Sequence, residues 1–290
     1  LSPVEIRAQA ENLEGIAASG SEGVVSSQRL SALPVLRPGE ALEMVPGMIV
    51  TQHSGDGKAN QYFLRGFNLD HGSDFTTHLM GMPVNMVSHG HGQGYMDLNF
   101  LMPELVGNLK YRKGVYATED GDFSTTGSSR IEYRRQLDQR FVDLSIGQNN
   151  YRRLLAVGGE SYGEINVLGA IEVLGNDGPW DQPENLKKYN GVLRLTSGTA
   201  ANGFSLTGMA YQADWTATEH VPERAITSGE IGRYGALSPN DGGKTHRYSL
   251  AGDWAQTTAT GARKASLYVI DYGLNLFSAP SGYISGAQGD

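Results

Sequence analysis

The chain has 290 residues, with 39 glycines, 11 prolines and no cysteine, and a net charge of -8 from 23 Lys+Arg against 31 Asp+Glu. Zero cysteine excludes a disulfide scaffold, a thiolate metal site and a cysteine nucleophile, and the acidic balance argues against a nucleic-acid binder. No run approaches the roughly 18 apolar residues of a membrane-spanning helix and mean hydropathy is -0.35. The first expectation is therefore a soluble acidic protein of one large or two ordinary domains, although glycine stands at about twice ordinary usage.

Residues 1–30 are polar and small. Leu1 opens directly into polar sequence without a signal peptide, and Ala18-Ser19-Gly20-Ser21 reads as flexible linker. Residues 31–135 are richer in apolar groups and read as a compact α/β domain. A short helix is predicted from Glu40 to Val45, stopped by Pro46. Extended segments follow at 48–50, 61–67, 76–80, 84–86 and 109–113, with a second short helix at 98–106 around Pro103.

From about residue 136 the period changes to two. Val142, Leu144 and Ile146 alternate with Asp143 and Ser145; Ile165, Val167, Ile171 and Val173 alternate with Asn166, Ala170 and Glu172. Tyr248, Leu250 and Trp254 make another row, as do Tyr268, Ile270, Tyr272, Leu274 and Leu276 opposite Asp271 and Asn275. Weaker candidates cover 151–160, 189–197 and 204–215, giving about seven strands. Two structures produce such rows. A soluble sheet buries its apolar face, whereas a transmembrane barrel turns that face to lipid. Three details favour the barrel. The strands approach the about 9–11 residues that cross a bilayer. Aromatics close the segments at Tyr151, Tyr189, Trp215, Trp254 and Phe277, and short and long links alternate. The short Asn149-Asn150 link breaks that alternation.

Val45-Pro46-Gly47-Met48-Ile49-Val50, followed by Asn60-Gln61-Tyr62-Phe63-Leu64-Arg65-Gly66-Phe67, resembles the plug domain of TonB-dependent outer-membrane receptors. Gly81-Met82-Pro83-Val84-Asn85 matches the turn expected next. The strand 105–114, ending in Lys113-Gly114, and the glycine-rich exit at 121–131 complete the series. Met80 stands where the family has aspartate, Met82 where it has valine, and Val115 where it has proline. The resemblance implies a mostly β protein: a globular α/β plug, then part of a transmembrane antiparallel β-barrel, with 22 strands in an intact member. The implied domains are a flexible periplasmic segment at 1–30, the plug at 31–135 and the first barrel strands at 136–290. Because about seven strands cannot close around such a plug, the length reads as a truncation, neither soluble nor transport-competent alone.

The resemblance further implies active transport of a scarce substrate across the bacterial outer membrane: a siderophore–iron complex, haem, cobalamin or a similar chelate. It implies neither catalysis nor a cofactor. The implied partners are outer-membrane lipid, the substrate, and TonB with its inner-membrane energising complex. Val4-Glu5-Ile6-Arg7-Ala8 resembles the box that pairs with TonB by strand addition. Arg65 and Lys113 match plug cations that contact barrel glutamates. The outward plug loops would be 51–60 and 85–95, which nominates His53, Asp56, Lys58, Asn60, Asn85, His89, His91, Gln93 and Tyr95 as substrate contacts. His89-Gly90-His91 presents an i, i+2 pair that neutral imidazole chemistry could use for a metal. Two histidines between glycines still lack the three or four converging ligands of a metal site, so no protein-held metal is expected. A binding or adhesion protein of the same fold is the alternative. A soluble metal enzyme has no connected ligand motif to support it.

Overall fold

The computed structural model describes residues 16, 17, 19–52, 54–87 and 93–279. The Val4–Ala8 box, His53, His89 and His91 lie outside them. The chain divides into two compact units, Leu1–Thr51 with Asn60–Arg134, and Gln52–Ala59 with Arg135–Asp290.

In the first unit the strands are β1 (Ile16–Ala17), β2 (Glu22–Ser26), β3 (Met48–Thr51), β4 (Gln61–Leu64), β5 (Phe67–Asn68), β6 (Phe75–Leu79), β7 (Met82–Pro83), β8 (Val106–Lys113) and β9 (Gly127–Tyr133). They form a mixed sheet of order β1-β2-β8-β9-β6-β7 and a small sheet β3-β4-β5. Among the described residues, only β6 and β9 pair in parallel. Segment 22–31, read from composition as linker, forms β2 and the helix α1 (Ser27–Ser31). Ser26 starts that helix, its Oγ accepting from the Arg29 N–H at 3.3 Å. The two helices expected around 40–45 and 98–106 are 3₁₀ turns, Pro38–Met44 and Pro103–Leu105. Proline opens each, where its missing N–H leaves no intrahelical bond unmade.

The family-like dipeptides are turn chemistry. Arg65 and Gly66 have φ of 54° and 82°, and Met80 and Gly81 have 53° and 76°. Both pairs are two-residue hairpin loops with positive φ at each position. Methionine is unusual there. Its side chain is buried, and its sulfur accepts from the Tyr133 N–H at 3.0 Å, so packing replaces the local hydrogen bonding that aspartate offers. Leu42, Val45, Tyr62, Leu69, Phe75, Leu79, Leu109 and Ile131 are fully buried and form the core.

Asp120 ties β8 to β9. Its oxygens accept from Arg112 Nη1 at 2.8 Å and Arg130 Nη2 at 3.2 Å. Burial pushes the carboxyl up, but hydrogen bonds from Arg112, Arg130 and Ser128 outweigh it, so it titrates below the usual aspartate range. A depressed folded-state pKa contributes stability above the unfolded value of about 3.9, and that stability is lost as pH falls through the folded value. Both arginines are partly exposed. Asp120→Asn should therefore cost about 1–3 kcal/mol at neutral pH, a cost that shrinks as pH falls through the depressed carboxyl value. Denaturant titration of the intact protein at pH 7 and pH 3, monitored by hydrogen exchange of β8 and β9, checks both the size and the sign.

The second unit carries β10 (Phe141–Ile146), β11 (Arg152–Tyr162), β12 (Ile165–Asn176), β13 (Leu186–Gly198), β14 (Gly203–Thr216), β15 (Gly242–Thr258) and β16 (Gly261–Phe277) in one antiparallel sheet, in sequence order. A short helix, α2 (Glu223–Thr227), sits in the β14–β15 link. The links after β11, β13 and β15 are tight and share one end of the sheet. The long links after β12 and β14 share the other. The link after β10 joins them there, since the Asp177 N–H donates to the Asn149 carbonyl at 2.9 Å. That link is tight because Asn149 and Asn150 both adopt positive φ, 55° and 56°.

The burial of this sheet is inverted relative to a soluble protein. Along β13, Lys188, Asn190, Arg194 and Thr196 are buried while Tyr189 and Leu193 are exposed. Register puts Val142, Leu144, Leu154, Ile171, Val173, Leu206, Leu250, Leu267 and Val269 on the exposed face with them. Towards the short-turn end, Tyr162, Ile165, Ser197, Phe204 and Trp254 stand in one cross-strand row on that face. An apolar outer band bordered by aromatics, over a polar inner face, is the wall of a membrane barrel. β16 departs from expectation. Tyr268, Ile270 and Tyr272 pair with Ala251, Ser249 and Arg247, so that row lies on the inner face. Four apolar residues in succession, Leu267 to Ile270, leave the phase undetermined until the partner strand sets it.

Candidate functional site

Residues 52–59 pack with the second unit. Two glycines allow it. A Cβ at Gly55 would sit 2.7 Å from Trp215 Cδ1 and 2.9 Å from the Ala217 Cβ, and one at Gly57 would fall inside the Trp215 ring. The backbone therefore lies flat on a buried indole at the long-link end of β14. The expectation of Trp215 as an interfacial girdle residue is corrected. It stands on the inner-face phase of β14, in line with Tyr211 and Ala213, and is 5% exposed.

Polar contacts complete the seat. Gln52 Nε2 donates to the Ser54 and Gly55 carbonyls, at 2.9 and 2.6 Å, and the Lys58 N–H donates to the Gly55 carbonyl at 3.0 Å, which shapes a tight turn. Asn176 Nδ2 donates to Asp56 Oδ2 at 2.7 Å, and the Asp56 N–H donates to Glu184 Oε2 at 3.3 Å. Glu184 also accepts from Trp180 Nε1 at 2.7 Å. Glu219 Oε1 accepts from Ser54 Oγ and Ser278 Oγ, both at 2.8 Å, and lies 3.7 Å from Lys58 Nζ. Lys58 and Glu219 are both buried, so each charge needs the other. Nearby, burial pushes the Asp241 carboxyl up. The Glu219 charge adds to this, and bonds from Ser238 and the Ala279 N–H with the Lys58 charge oppose it.

In the first unit, Asn60, Asn85, Gln93 and Tyr95 have other surroundings. Asn60 is buried, its Nδ2 3.4 Å from the Thr51 carbonyl. Asn85 is buried and fully used: its Oδ1 accepts from the Thr77 N–H at 2.8 Å, and its Nδ2 donates to the carbonyls of Gly72, Phe75 and Gly94 at 2.8, 3.0 and 3.1 Å. Tyr95 is buried, with its ring 5.4 Å from His71. Its backbone pairs with Met86 across the base of the 85–95 loop. Gln93 is exposed. Asn85 thus braces the loop. Asn85→Ala should cost about 2–4 kcal/mol, because it strands the buried Thr77 N–H and removes the amide donor to the Gly72, Phe75 and Gly94 carbonyls. Thermal unfolding with hydrogen exchange at Thr77 checks this. Arg65 is exposed. Lys113 is buried with Nζ 5.8 Å from the Tyr111 ring centroid, and burial, then the Arg65 charge, holds its ammonium below the usual lysine range.

Of the nominated contacts, the structure therefore places Asp56 and Lys58 on one loop, Asp56 bonded to Asn176 and Glu184 and Lys58 paired with Glu219, and gives Asn60, Asn85 and Tyr95 structural partners. Glu184, Glu219 and Trp180 were not singled out, and Trp215 was named only as a strand-end aromatic. A tryptophan at a strand end facing a Gly-Asp-Gly loop was the available signal for the last. Among the described residues no cluster of three or more histidine, aspartate or glutamate side chains is arranged to hold a metal.

Residues 16–128 match the family model described as the TonB-dependent receptor plug domain. Similar solved structures include the copper transporter OprC, at 15% identity and a TM-score of 0.64 over 89% of this chain and 38% of that one. The siderophore receptor PiuA from Acinetobacter baumannii is similar at 18% identity and a TM-score of 0.65, over 88% and 36%. The ferric yersiniabactin uptake receptor FyuA from Yersinia pestis is similar at 16% and 0.61, over 82% and 38%. At such identities the likeness is one of fold. The chain spans under two fifths of each of these structures.

Proposed function

Because the chain carries a TonB-dependent receptor plug domain followed by the barrel-wall strands of those receptors, we propose that it serves energised uptake of a scarce chelate across the bacterial outer membrane. The similar structures are named for copper transport and for siderophore uptake, and an iron–siderophore complex, haem, cobalamin or a comparable chelate is the substrate class. The observation that carries the reading is the seat of loop 52–59. A Gly-Asp-Gly turn, fixed on Trp215 and bonded to Glu184, with Ser54 and Lys58 on either side of it held by Glu219, stands at the end of the sheet where the long links gather. A ligand landing there would perturb a bonded network rather than a free loop. In this reading Asp56 and Lys58 hold the loop in place. His53, Asn60, Asn85, His89, His91, Gln93 and Tyr95 form or brace the surface that meets substrate. Arg65 and Lys113 take the anchoring role towards barrel glutamates, since a buried lysine beside a second cation requires a carboxylate. Val4-Glu5-Ile6-Arg7-Ala8 takes TonB as an added strand.

The test is growth rescue by a panel of iron chelates, haem, cobalamin and zinc, using the full-length gene and a variant lacking residues 3–8. Rescue by one chelate, abolished by the deletion with surface binding retained, is the expected result. Undiminished uptake by the deleted form would sink the energised mechanism.

A further inference from the structure

The exposed face of the barrel wall holds a groove of about 620 Å³ near the long-link end. Its floor is apolar. Leu144, Leu154, Val173 and Tyr189 stand side by side in one cross-strand row. The row above, towards the long links, reads Arg152, Gly175, Lys187 across β11, β12 and β13. Arg152 and Lys187 are exposed. Gly175 between them carries no side chain, and a Cβ there would meet Arg152 Nε at 3.2 Å and Cγ at 3.5 Å. The arginine stem therefore lies across β12. The cations next to them in sequence are treated differently. Arg153 and Lys188 turn to the inner face and pair with Glu172 at 2.7 and 2.9 Å. Among the described residues, Arg152 and Lys187 form no ion pair. The acids nearest in the fold are Asp177, held at the rim by Asn150 Nδ2, and Asp214, the β14 neighbour of Lys187.

We propose that this groove seats one phosphorylated lipid of the surrounding leaflet, with its phosphate between Arg152 and Lys187 over Gly175 and an acyl chain along Leu144, Leu154, Val173 and Tyr189. The inference rests on the membrane reading of the sheet. One strand, β12, separates the cations, two strand spacings or about 10 Å between backbones, a span that a phosphate closes when both long side chains lean inward. The guanidinium fork and the ammonium are the donors such an oxyanion takes. The level suits them. Basic side chains on the lipid face are tolerated at the border of the apolar band and not at its middle, and a tyrosine such as Tyr189 marks the headgroup level. A free phosphate would use the cations alone and leave the apolar floor without a role.

The experiment is native mass spectrometry of the intact protein from its full-length gene, in neutral detergent, titrated with bisphosphorylated lipid A, with the same lipid after dephosphorylation, and with inorganic phosphate. Retention of the phosphorylated lipid in preference to the dephosphorylated one is expected. The Arg152→Gln/Lys187→Gln double variant should weaken retention by at least about tenfold. Gly175→Leu, which fills the notch, should act in the same direction. Equal retention by wild type and double variant, no preference for the phosphorylated lipid, or displacement by millimolar inorganic phosphate would each overturn the proposal. Heat-modifiable gel mobility reads membrane folding separately. If it shows no folded barrel, the membrane reading falls and the lipid site with it. If it shows one, a failed titration removes the lipid site alone and leaves the transport reading standing.

Discussion

Glu172→Gln is expected to lower the stability of the barrel wall by about 3–5 kcal/mol. Glu172 is 2% exposed and sits between Arg153 Nε at 2.7 Å and Lys188 Nζ at 2.9 Å, and both cations are largely buried as well. The carboxylate bonds both cations at once, and the three charges already sum to one positive. An amide in its place leaves two like charges on strands β11 and β13, both within reach of the same point, in a setting where water does not screen them well. Lys188→Met should be milder, because the Arg153–Glu172 pair survives and the methionine stem fills most of the space. The ordering is the check: the temperature at which the folded band is lost in unboiled gels of the intact protein should fall most for Glu172→Gln and less for Lys188→Met. Equal losses would mean that the pair energies are local and that Glu172 does not join the two cations.

This triad also shows how the sequence could be read and where it could not. Alternation placed Glu172 opposite Ile171 and Val173, and so on the polar face, which was enough to identify a barrel wall. The alternation could not say that Arg153 and Lys188 share its cross-strand neighbourhood, since that depends on registers Leu155↔Glu172 and Leu174↔Lys188 set by the links. The same limit accounts for β16, where both phases are apolar between Leu267 and Ile270 and only pairing with β15 chooses one. The plug motifs were legible because turns have local chemistry: Arg65-Gly66 and Met80-Gly81 are hairpin loops whatever surrounds them. The candidate site was half legible. Asp56 and Lys58 stood out as polar residues in a glycine loop, but their partners Glu184 and Glu219 lie more than a hundred residues on, in links with no period to read. Asn85 looked like a ligand contact for the same reason that it is a brace: its amide has four hydrogen-bonding directions, and sequence does not say whether backbone or substrate takes them.

Gly57→Ala should release loop 52–59 from the wall, at a cost of about 1–3 kcal/mol. Gly57 has no positive φ, so backbone strain is not the obstacle. The obstacle is Trp215, whose ring occupies the volume a Cβ would take. The indole is walled in, because Gly55 and Ala217 flank it and a Cβ at Gly243 would meet its Cζ2 at 2.7 Å, so the loop is the part that must move. Hydrogen exchange at the Asp56 and Lys58 amides, which donate to Glu184 and to the Gly55 carbonyl, reads that movement directly. Trp215→Ala should itself cost about 3–5 kcal/mol by emptying a large buried volume. The two effects should not add. With the indole gone, the alanine Cβ has room, so the Gly57→Ala penalty measured in the Trp215→Ala background should fall towards zero, a coupling of about 1–3 kcal/mol. An unchanged penalty in that background would show that the glycine is needed for the path of the chain and not for its approach to the ring. The Lys58–Glu219 pair predicts the complementary pattern: Glu219→Gln removes the carboxylate 3.7 Å from a buried ammonium and should loosen the same amides whether or not Trp215 is present.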